Sequence, residues 1–430
     1  MPQTMKHATR LCLVLLASAG CKLTDELLEV ETGTQVFADQ LGSPAAADLL
    51  VNSVATDFDC AFGAYTLSNA FYGDEVADAQ LTVGIVEIDA RRIPVDGGVL
   101  ATSLCPTLGI FRSLSVARGQ ADLTARRLTG WTDAQVASRQ RKLATVYAYG
   151  GYAVNLLAES YCTITIDAGP ELSALAAFGE AEARFTNAIA AAQVANDASL
   201  LRLAYLGRAR ARLNLAKRGA GVDAAKLAAA ASDAQQVTQG FVFNARFDLT
   251  PDRRRNPMYT AINDQEALTI QSDFRNLTTQ GVPDPRVKVI DTGHRGRDAV
   301  GTPIWIQQKY LASNAPIPIA RYTEARLIIA EATGGATAVD IINTLRAATL
   351  PQLPAFPGGS AQAIQAQIVE ERSRELFLES HHLGDKLRYN LPFRPAAGTP
   401  YKGGGSYEPG GCLALPGVEK DNNPNATISK

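Results

Sequence analysis

The sequence is poor in the side chains that carry most metal and proton chemistry. It has four histidines, three methionines and two tryptophans in 430 residues. It contains no His-Glu-x-x-His zinc motif, no Gly-x-Ser-x-Gly nucleophile turn and no phosphate loop ending in Gly-Lys-Ser/Thr. His381 and His382 are adjacent, so on a helix their side chains would point about 100° apart. We therefore expect no catalysis, no metal and no cofactor, and we place these two histidines at the surface by chance.

An excess of positive charge is also absent. The chain has 41 Lys and Arg against 43 Asp and Glu, for a formal net charge of −2. Proteins that bind nucleic acid usually carry a basic patch, so no nucleic-acid partner is expected. With 46% hydrophobic and 20% charged residues, the composition is that of an ordinary globular protein.

A short apolar run lies near the N-terminus. Leu11–Leu16 follow the positive flank formed by Lys6 and Arg10, and small residues occupy 17–20, directly before Cys21. A positive flank, a short apolar run and a small-residue cleavage region are the parts of a secretory signal. The run is much shorter than the roughly 20 apolar residues of a spanning helix. We predict a signal peptide over residues 1–20.

The residues before Cys21 resemble the bacterial lipobox, in which the cysteine is lipidated and becomes the mature N-terminus. Ser18 departs from that pattern, since Leu is usual there and the nearest leucine is Leu16. We predict a lipid anchor on Cys21 followed by a tether over 21–45. An ordinary secretory signal whose cysteine forms a disulfide, and a membrane-spanning anchor, are the alternatives.

The other cysteines agree with export. Cys12 lies within the predicted signal, and four cysteines follow Cys21: Cys60, Cys105, Cys162 and Cys412. Disulfides persist outside the cytoplasm, and four cysteines allow three connectivities. None forms a Cys-x-x-Cys pair. Free buried thiols are the alternative.

The middle of the chain has the periodicity of consecutive helices. Apolar residues recur at spacings of three, four and seven over Ala134–Glu159, although Gly150 and Gly151 weaken the case for an unbroken helix. The same pattern continues over Phe178–Ala195, Leu201–Ala216 and Ala224–Gln235. The pair Phe178–Ala195 and Leu201–Ala216 looks like a tetratricopeptide unit, a helical hairpin of roughly 34 residues.

Strand patterns are few. Short apolar or alternating runs bounded by Pro, Gly and Asp occur at 241–243, 287–290 and 304–306, and such runs favour short strands. They fall within a loop-rich insertion over about 241–315, and residues 391–430 are similarly rich in Gly and Pro. The sequence therefore predicts a mostly α protein with ordered loops.

Two stretches that carry three motifs then resemble the SusD/RagB-like outer-membrane nutrient-binding lipoproteins. The stretch from Arg321 to Ala348 is similar to that family's R-x-x-E-x-x-L-x-x-A-E-A helix and the I-N-x-x-R helix that follows it. The stretch from Glu370 to Asn390 is similar to its E-E-R-x-x-E-L-x-x-E-G-x-R-x-x-D-L-x-R helix. The matching residues are Arg321, Glu324, Leu327, Ala330, Glu331, Ala332, Ile342, Asn343, Arg346, Glu370, Glu371, Arg372, Glu375, Leu376, Glu379, Asp385 and Arg388.

Four positions depart from the third motif: Ser380, His382, Gly384 and Lys386 replace the usual Gly, Arg, aromatic residue and Leu. The run of Glu and Arg is interrupted by apolar residues at 376–378, so part of it must face inward. We expect some Arg–Glu pairs to be buried, where they fix which helices meet. These residues are interpreted as architectural, with no acid–base role.

The resemblance implies a SusD-like helical fold built on tetratricopeptide-like pairs, at about 105–240 and 316–390, within a single domain over 46–430. It also implies a lipid-anchored, surface-exposed position on the outer membrane, where the protein would bind an oligosaccharide or a peptide. The ligand would pass to a SusC-like TonB-dependent barrel. A tetratricopeptide-type scaffold that recruits proteins at the envelope is the alternative function.

Ligand-binding and disulfide residues follow from the same resemblance. Sugars are commonly held by aromatic faces with a polar rim, and a segment read as loop-rich, 58–89, offers Phe58, Phe62, Tyr65, Phe71, Tyr72, Asp74 and Glu75. Core positions for the aromatic residues and ordinary surface positions for the acids are the alternatives. In the family the C-terminal tail folds back over the helical core, which favours a Cys162–Cys412 bridge. Cys60 and Cys105 share one segment, which favours their pairing over the other connectivities.

Overall fold

The computed structural model describes residues 40–251, 254–349 and 353–426. The predicted signal peptide, the lipidated Cys21 and the tether as far as residue 39 lie outside these residues, and the division of the chain into signal, tether and one domain stays a prediction. Before residue 47 the described chain forms two short 3₁₀ helices, Gln40–Gly42 and Pro44–Ala46.

From residue 47 onward the protein is mostly α-helical, as the sequence predicts. The first half contains α1 Ala47–Tyr72, α2 Val83–Asp89, α3 Gly98–Thr102, α4 Phe111–Gly130, α5 Arg139–Ser160, α6 Ala174–Val194, α7 Ala198–Lys217 and α8 Ala224–Ala234. The second half contains α9 Tyr322–Thr333, α10 Gly335–Thr349, α11 Ala361–Glu375, α12 His382–Tyr389 and α13 Gly417–Asn422. A π-helix spans Tyr259–Asp264.

Helices α4 to α8 each pack against the next along the chain, which is the arrangement expected of tetratricopeptide-like pairs. Glycines make two of these contacts close. A Cβ added to Gly151 of α5 or to Gly207 of α7 would come 2.9 or 2.2 Å from the ring of Phe185 in α6. The glycines therefore let one ring fill the space between three helices, and α5 remains unbroken across Gly150 and Gly151.

The strands form two-stranded antiparallel ribbons within the described chain. The strands are β1 Val76–Asp78, β2 Thr163–Ile164, β3 Leu172–Ser173, β4 Val242–Ala245, β5 Leu268–Ile270, β6 Thr278–Thr279, β7 Val282–Pro283, β8 Val289–Arg295, β9 Pro303–Gln307 and β10 Ile317–Arg321. The pairs are β1–β5, β2–β3, β4–β10, β6–β7 and β8–β9. The three predicted runs correspond to β4, β8 and β9.

The third family motif does not lie on one helix, contrary to its reading as a single helical stretch. α11 ends at Glu375, and α12 begins only at His382. Between them Leu378 and Ser380 adopt left-handed backbone angles, with φ of 56° and 68°. This conformation ends an α-helix and costs most residues other than glycine about 1–2 kcal/mol. The resulting turn brings α12 back toward α1 and α5.

Both favoured disulfides are present. Cys60 is bonded to Cys105 and Cys162 to Cys412, with Cα–Cα distances of 5.6 and 5.1 Å. The second bridge lies where the C-terminal tail joins the end of α5. There the Cys162 amide donates to the Leu413 carbonyl at 2.8 Å, and the Leu413 amide donates to the Ser160 carbonyl at 2.8 Å.

Among the described helices, none combines the length and the apolar character needed to cross a bilayer.

Candidate functional site

The seven side chains predicted to bind ligand lie in the core. Each is at most 8% exposed: Phe58, Phe62, Tyr65, Phe71, Tyr72, Asp74 and Glu75. Phe58 stacks on Tyr149 with ring centroids 4.8 Å apart, and the Tyr65 hydroxyl donates to Glu159 at 3.5 Å. These residues do not form the expected aromatic surface, and their burial weighs against the predicted ligand-binding role.

The two acids of this set also have internal partners. The Asp74 carboxylate lies 2.9 Å from the Lys386 ammonium and accepts from the Arg394 amide at 2.6 Å. Glu75 accepts from the Leu378 amide at 3.0 Å. Burial raises the pKa of Glu75 to about 8, so its carboxyl is largely protonated at neutral pH.

Helix α1 explains why these side chains are buried. The segment read as loop-rich begins inside this uninterrupted 26-residue helix, which is buried on every side from Cys60 to Tyr72. A helix that is hydrophobic all round is typical of a buried position. The available signal was the scarcity of turn residues, because residues 47–72 contain one glycine and no proline.

The family-motif residues form buried ion pairs, as predicted. Glu371 of α11 is 0% exposed and accepts from Arg346 of α10 at 2.8 Å and from Arg286 at 2.5 Å. The same Arg286 lies 2.7 Å from Asp284 in the loop after β7. One carboxylate therefore joins two helices and a loop.

A second cluster surrounds Glu331 of α9. Its carboxylate lies 3.1 Å from both Lys217 and Arg388 and 4.0 Å from Arg372. Burial opposes its ionisation, but these three cations outweigh burial and hold the pKa of Glu331 at about 2. Arg372 and Arg388 also both contact Asp385 at 2.8 Å, so the cluster fixes α12 against α9 and α11.

Two further buried carboxylates of the family motifs, Glu324 and Glu379, also have cationic partners. Glu324 accepts from Arg210 at 2.7 Å, and Glu379 accepts from Arg321 at 2.7 Å while also pairing with Lys309 at 2.5 Å. Removing one partner of a buried pair leaves an uncompensated charge, at a cost of about 3–5 kcal/mol. We interpret the motif as the framework that fixes helix packing.

The surface position predicted for His381 and His382 is wrong. His381 is 6% exposed and its Nε2 lies 3.1 Å from the guanidinium of Arg210. The ring of His382 meets the ring of Phe274 edge-on at 5.4 Å, and burial lowers the pKa of His382 to about 3. Both are neutral packing residues at physiological pH. No group of metal-binding side chains occurs in the described part of the chain.

The clearest candidate for a ligand site is a cavity of about 500 Å³ beside the N-terminal half of the fold. Its walls come from α1, α2, α3, the loop between α3 and α4, the π-helix and β5. The lining residues are Leu67, Ile85, Val99, Ser103, Pro106, Thr107, Leu108, Arg255, Pro257, Thr260, Ala261, Gln265, Ala267 and Leu268. A concave, mostly apolar pocket with a few polar groups is the usual form of a small-ligand site.

The loop that closes one side of this cavity is firmly attached. The Cys60–Cys105 disulfide ties it to α1, and the Ser68 hydroxyl of α1 donates to the Leu108 carbonyl at 2.8 Å. The Ile110 amide donates to the Leu100 carbonyl at 2.7 Å, which closes the base of the loop. The cavity is therefore held open by covalent and hydrogen bonds, a preformed arrangement that lowers the cost of binding.

No motif in the sequence indicates the cavity. Its walls are contributed by residues separated by up to 201 positions, from Leu67 to Leu268, and they follow no short motif. The two signals that were available are the predicted Cys60–Cys105 bridge and the apolar residues of 83–108, which the sequence leaves without a helical or alternating pattern.

Comparison with known proteins identifies the chain's relatives. The model of the SusD family matches residues 211–424, a range that contains all three motif stretches. No curated protein matches the sequence of this chain.

Solved structures match nearly the whole fold. A SusD superfamily protein from Parabacteroides distasonis has a TM-score of 0.66 at 14% identity and covers 91% of this chain and 99% of its own. One from Bacteroides thetaiotaomicron has a TM-score of 0.63 at 15% identity, covering 90% and 99%. A SusD-like carbohydrate binding protein from Bacteroides vulgatus has a TM-score of 0.56 at 15% identity, covering 84% and 86%.

Proposed function

Because this chain belongs to the SusD family, we propose that it binds a nutrient at the outer membrane surface and passes it to a SusC-like TonB-dependent barrel. The nutrient is an oligosaccharide or a peptide. The observation that carries the binding role is the preformed cavity of about 500 Å³. Its walls consist of aliphatic, hydroxyl and amide side chains with one guanidinium, which suits recognition without catalysis.

The lipid anchor is the second part of this proposal. Its support is the sequence alone: a short apolar run, small residues at 17–20 and then Cys21. Lipoprotein modification adds more than one acyl chain, and two or more chains anchor a protein stably. Cys21→Ala should move the protein from the membrane to the soluble fraction, whereas the unchanged chain stays with the membrane. Equal membrane retention of both would refute the anchor.

Delivery to a barrel is the third part. Full-length lipidated protein extracted from its native outer membrane in a mild detergent should co-purify with a large β-barrel protein. Cys21→Ala, which is expected to leave the membrane, provides the matched control and should lose that partner. If the native protein is recovered alone while other barrel complexes survive the same detergent, delivery is contradicted.

A scaffold that recruits soluble envelope proteins is the competing function, since the helix pairs α4–α5 and α6–α7 resemble those of scaffold proteins. The same purification separates the two proposals. Recovery of soluble proteins without a barrel favours the scaffold, and recovery of the barrel favours nutrient uptake.

A further inference from the structure

We infer that the cavity takes an aliphatic side chain of a short peptide rather than a sugar ring. This inference rests on the proposed nutrient-binding function and names the ligand class of that same site. The chemistry of the walls separates the two ligand classes, and the hydrogen-bonding state of the hydroxyls and the exposed apolar residues nearby in sequence agree with a peptide.

The walls lack the groups that sugars use. In the part of the chain that the structure describes, no aromatic ring and no carboxylate lines the cavity. Sugar rings are typically held by an aromatic face and by acids or amides that pair with several hydroxyls at once. Of the fourteen lining residues nine are Leu, Ile, Val, Pro or Ala, and Gln265 supplies the one amide side chain.

The two tryptophans do not supply an aromatic face to the cavity. Trp305 has the Arg275 guanidinium over its ring at 5.4 Å, and Trp131 is partly buried against the core. Neither residue lines the cavity. An aliphatic side chain, which needs no stacking partner, fits these walls better than a pyranose.

The polar groups of the cavity suit an N–H donor. The Thr260 hydroxyl donates to the Asn256 carbonyl at 3.0 Å and the Thr107 hydroxyl donates to the Leu104 carbonyl at 2.5 Å. A hydroxyl has one proton to donate and two lone pairs, so both oxygens are left to accept. Peptide amides present N–H groups at regular intervals, whereas a plain hydrocarbon chain would leave these oxygens without a partner.

Apolar residues continue outside the cavity. Val83 is 79% exposed and Leu104 is 44% exposed, and each lies within two residues of a lining side chain, Ile85 or Ser103. Exposed apolar groups that adjoin a pocket commonly mark a binding surface. Here they would contact the peptide residues on either side of the one that enters the cavity.

The test uses the full-length lipidated protein in nanodiscs with three defined probe sets. The first is a set of pentapeptides that differ only in the central residue, Leu, Ala, Ser or Asp. The second is a panel of plant and host oligosaccharides, and the third is decanoate. We expect the Leu peptide to bind, and to bind about tenfold or more tighter than the Ala peptide, since one missing methylene in an apolar pocket already costs about that factor.

Variants then locate the binding. Thr107→Trp, at an exposed position on the cavity mouth, should weaken the Leu peptide at least tenfold. Ala261→Trp, on the opposite wall, should do the same. Ala336→Trp on α10, which is exposed and does not line the cavity, should change nothing. Thermal melting of each variant reports whether it folds. If Ala261→Trp does not fold, Thr107→Trp still tests the inference, because Thr107 is exposed.

Each binding result either supports the peptide inference or overturns it. Oligosaccharide binding that Thr107→Trp abolishes would overturn the peptide inference while leaving nutrient binding intact. Preference for decanoate, or peptide binding indifferent to the central residue or to Thr107→Trp, would also overturn the inference. Binding of none of the probes would overturn it too, and recovery of the barrel partner in the separate purification would show that the proposed function survives.

Discussion

Two regions of this protein differ in whether they bury charged side chains or leave apolar side chains exposed. In the region formed by α9 to α12, carboxylates such as Glu331 and Glu371 are buried and paired with arginines from neighbouring elements. In the region around the cavity, valines such as Val83 and Val99 remain exposed or half-buried, and the described walls carry no carboxylate. The first region holds the helices together, and the second carries the candidate ligand site.

The comparison explains why family motifs are a poor guide to the ligand. The residues that identify the family, from Arg321 to Arg388, hold helices together and do not line the cavity. Buried ion pairs need particular partners in particular places, so they leave a readable pattern. An apolar wall needs only the right shape and volume, so many sequences can build it.

The largest effect is expected in the charged region. Glu371→Gln should lower the free energy of unfolding by about 3–5 kcal/mol, because Arg346 loses its charged partner in a buried site and Arg286 loses one of its partners. Urea denaturation followed by circular dichroism measures it. Glu370→Gln is the matched control: its side chain is 50% exposed and pairs with Arg374 one turn away, so about 0.5 kcal/mol is expected. Equal losses in the two variants would contradict the architectural role of the motif.

The two disulfides differ in their relation to the cavity, because Cys60–Cys105 ties down the loop in its wall and Cys162–Cys412 joins the C-terminal tail to the end of α5. Removing either bridge by paired Cys→Ser changes should cost about 2–4 kcal/mol, and the 250-residue Cys162–Cys412 loop should cost about 1.5 kcal/mol more than the 45-residue Cys60–Cys105 loop. Thermal melting without reductant gives the order. Ligand affinity should follow the reverse order, because only Cys60–Cys105 supports the cavity wall. Loss of affinity on removing the tail bridge alone would break this division.

Two buried carboxyls, Glu75 and Glu331, should respond to pH in opposite directions. Glu75 has a folded pKa of about 8 because burial outweighs its hydrogen bond, so the folded state holds a proton that the unfolded state releases above its ordinary pKa near 4.5. Stability from Glu75 is therefore lost as pH rises from about 4.5 to 8. Glu331, with a folded pKa of about 2, contributes stability that is lost as pH falls from about 4.5 to 2.

Glu75→Gln tests the first of these responses. The variant should remove roughly 3–4 kcal/mol of the stability loss between pH 5 and pH 8. Chemical denaturation at both pH values gives the difference. A variant with the same pH dependence as the unchanged protein would show that Glu75 is ionised in the fold.

The smallest effect concerns the turn between α11 and α12. Ser380→Gly should raise stability by about 0.5–1 kcal/mol, because glycine adopts the observed φ of 68° without steric cost. The Ser380 hydroxyl is also buried and has no hydrogen-bond partner within the described structure. Ser373→Gly inside α11 provides the control and should destabilise by about 0.5 kcal/mol. Destabilisation at residue 380 would show that the serine is accommodated better than its backbone angle suggests.

Much of the fold was accessible from sequence, and most of the site was not. Local periodicity located α5 to α8 because a helix buries residues at regular spacing, and the family motifs located α9 to α12. The break at Leu376–Ser380 was missed because neither residue at positive φ is a glycine. Strand β10 was missed because it pairs with β4 some 75 residues earlier, and such a partner leaves no local signal. The burial of the α1 aromatic residues could not be established from the sequence, because burial of a helix on all sides depends on the elements that later surround it.

A crystal structure with bound ligand is the most direct test that the cavity, and not the charged framework, binds the ligand. The ligand should be the tightest-binding member of the peptide and oligosaccharide panels, soaked into crystals of the unchanged protein. The account predicts density in the cavity, against Thr107 and Ala261. Density instead in the charged crevice lined by Arg374, Lys386 and Arg394, with the cavity empty, would contradict the separation of framework and binding site.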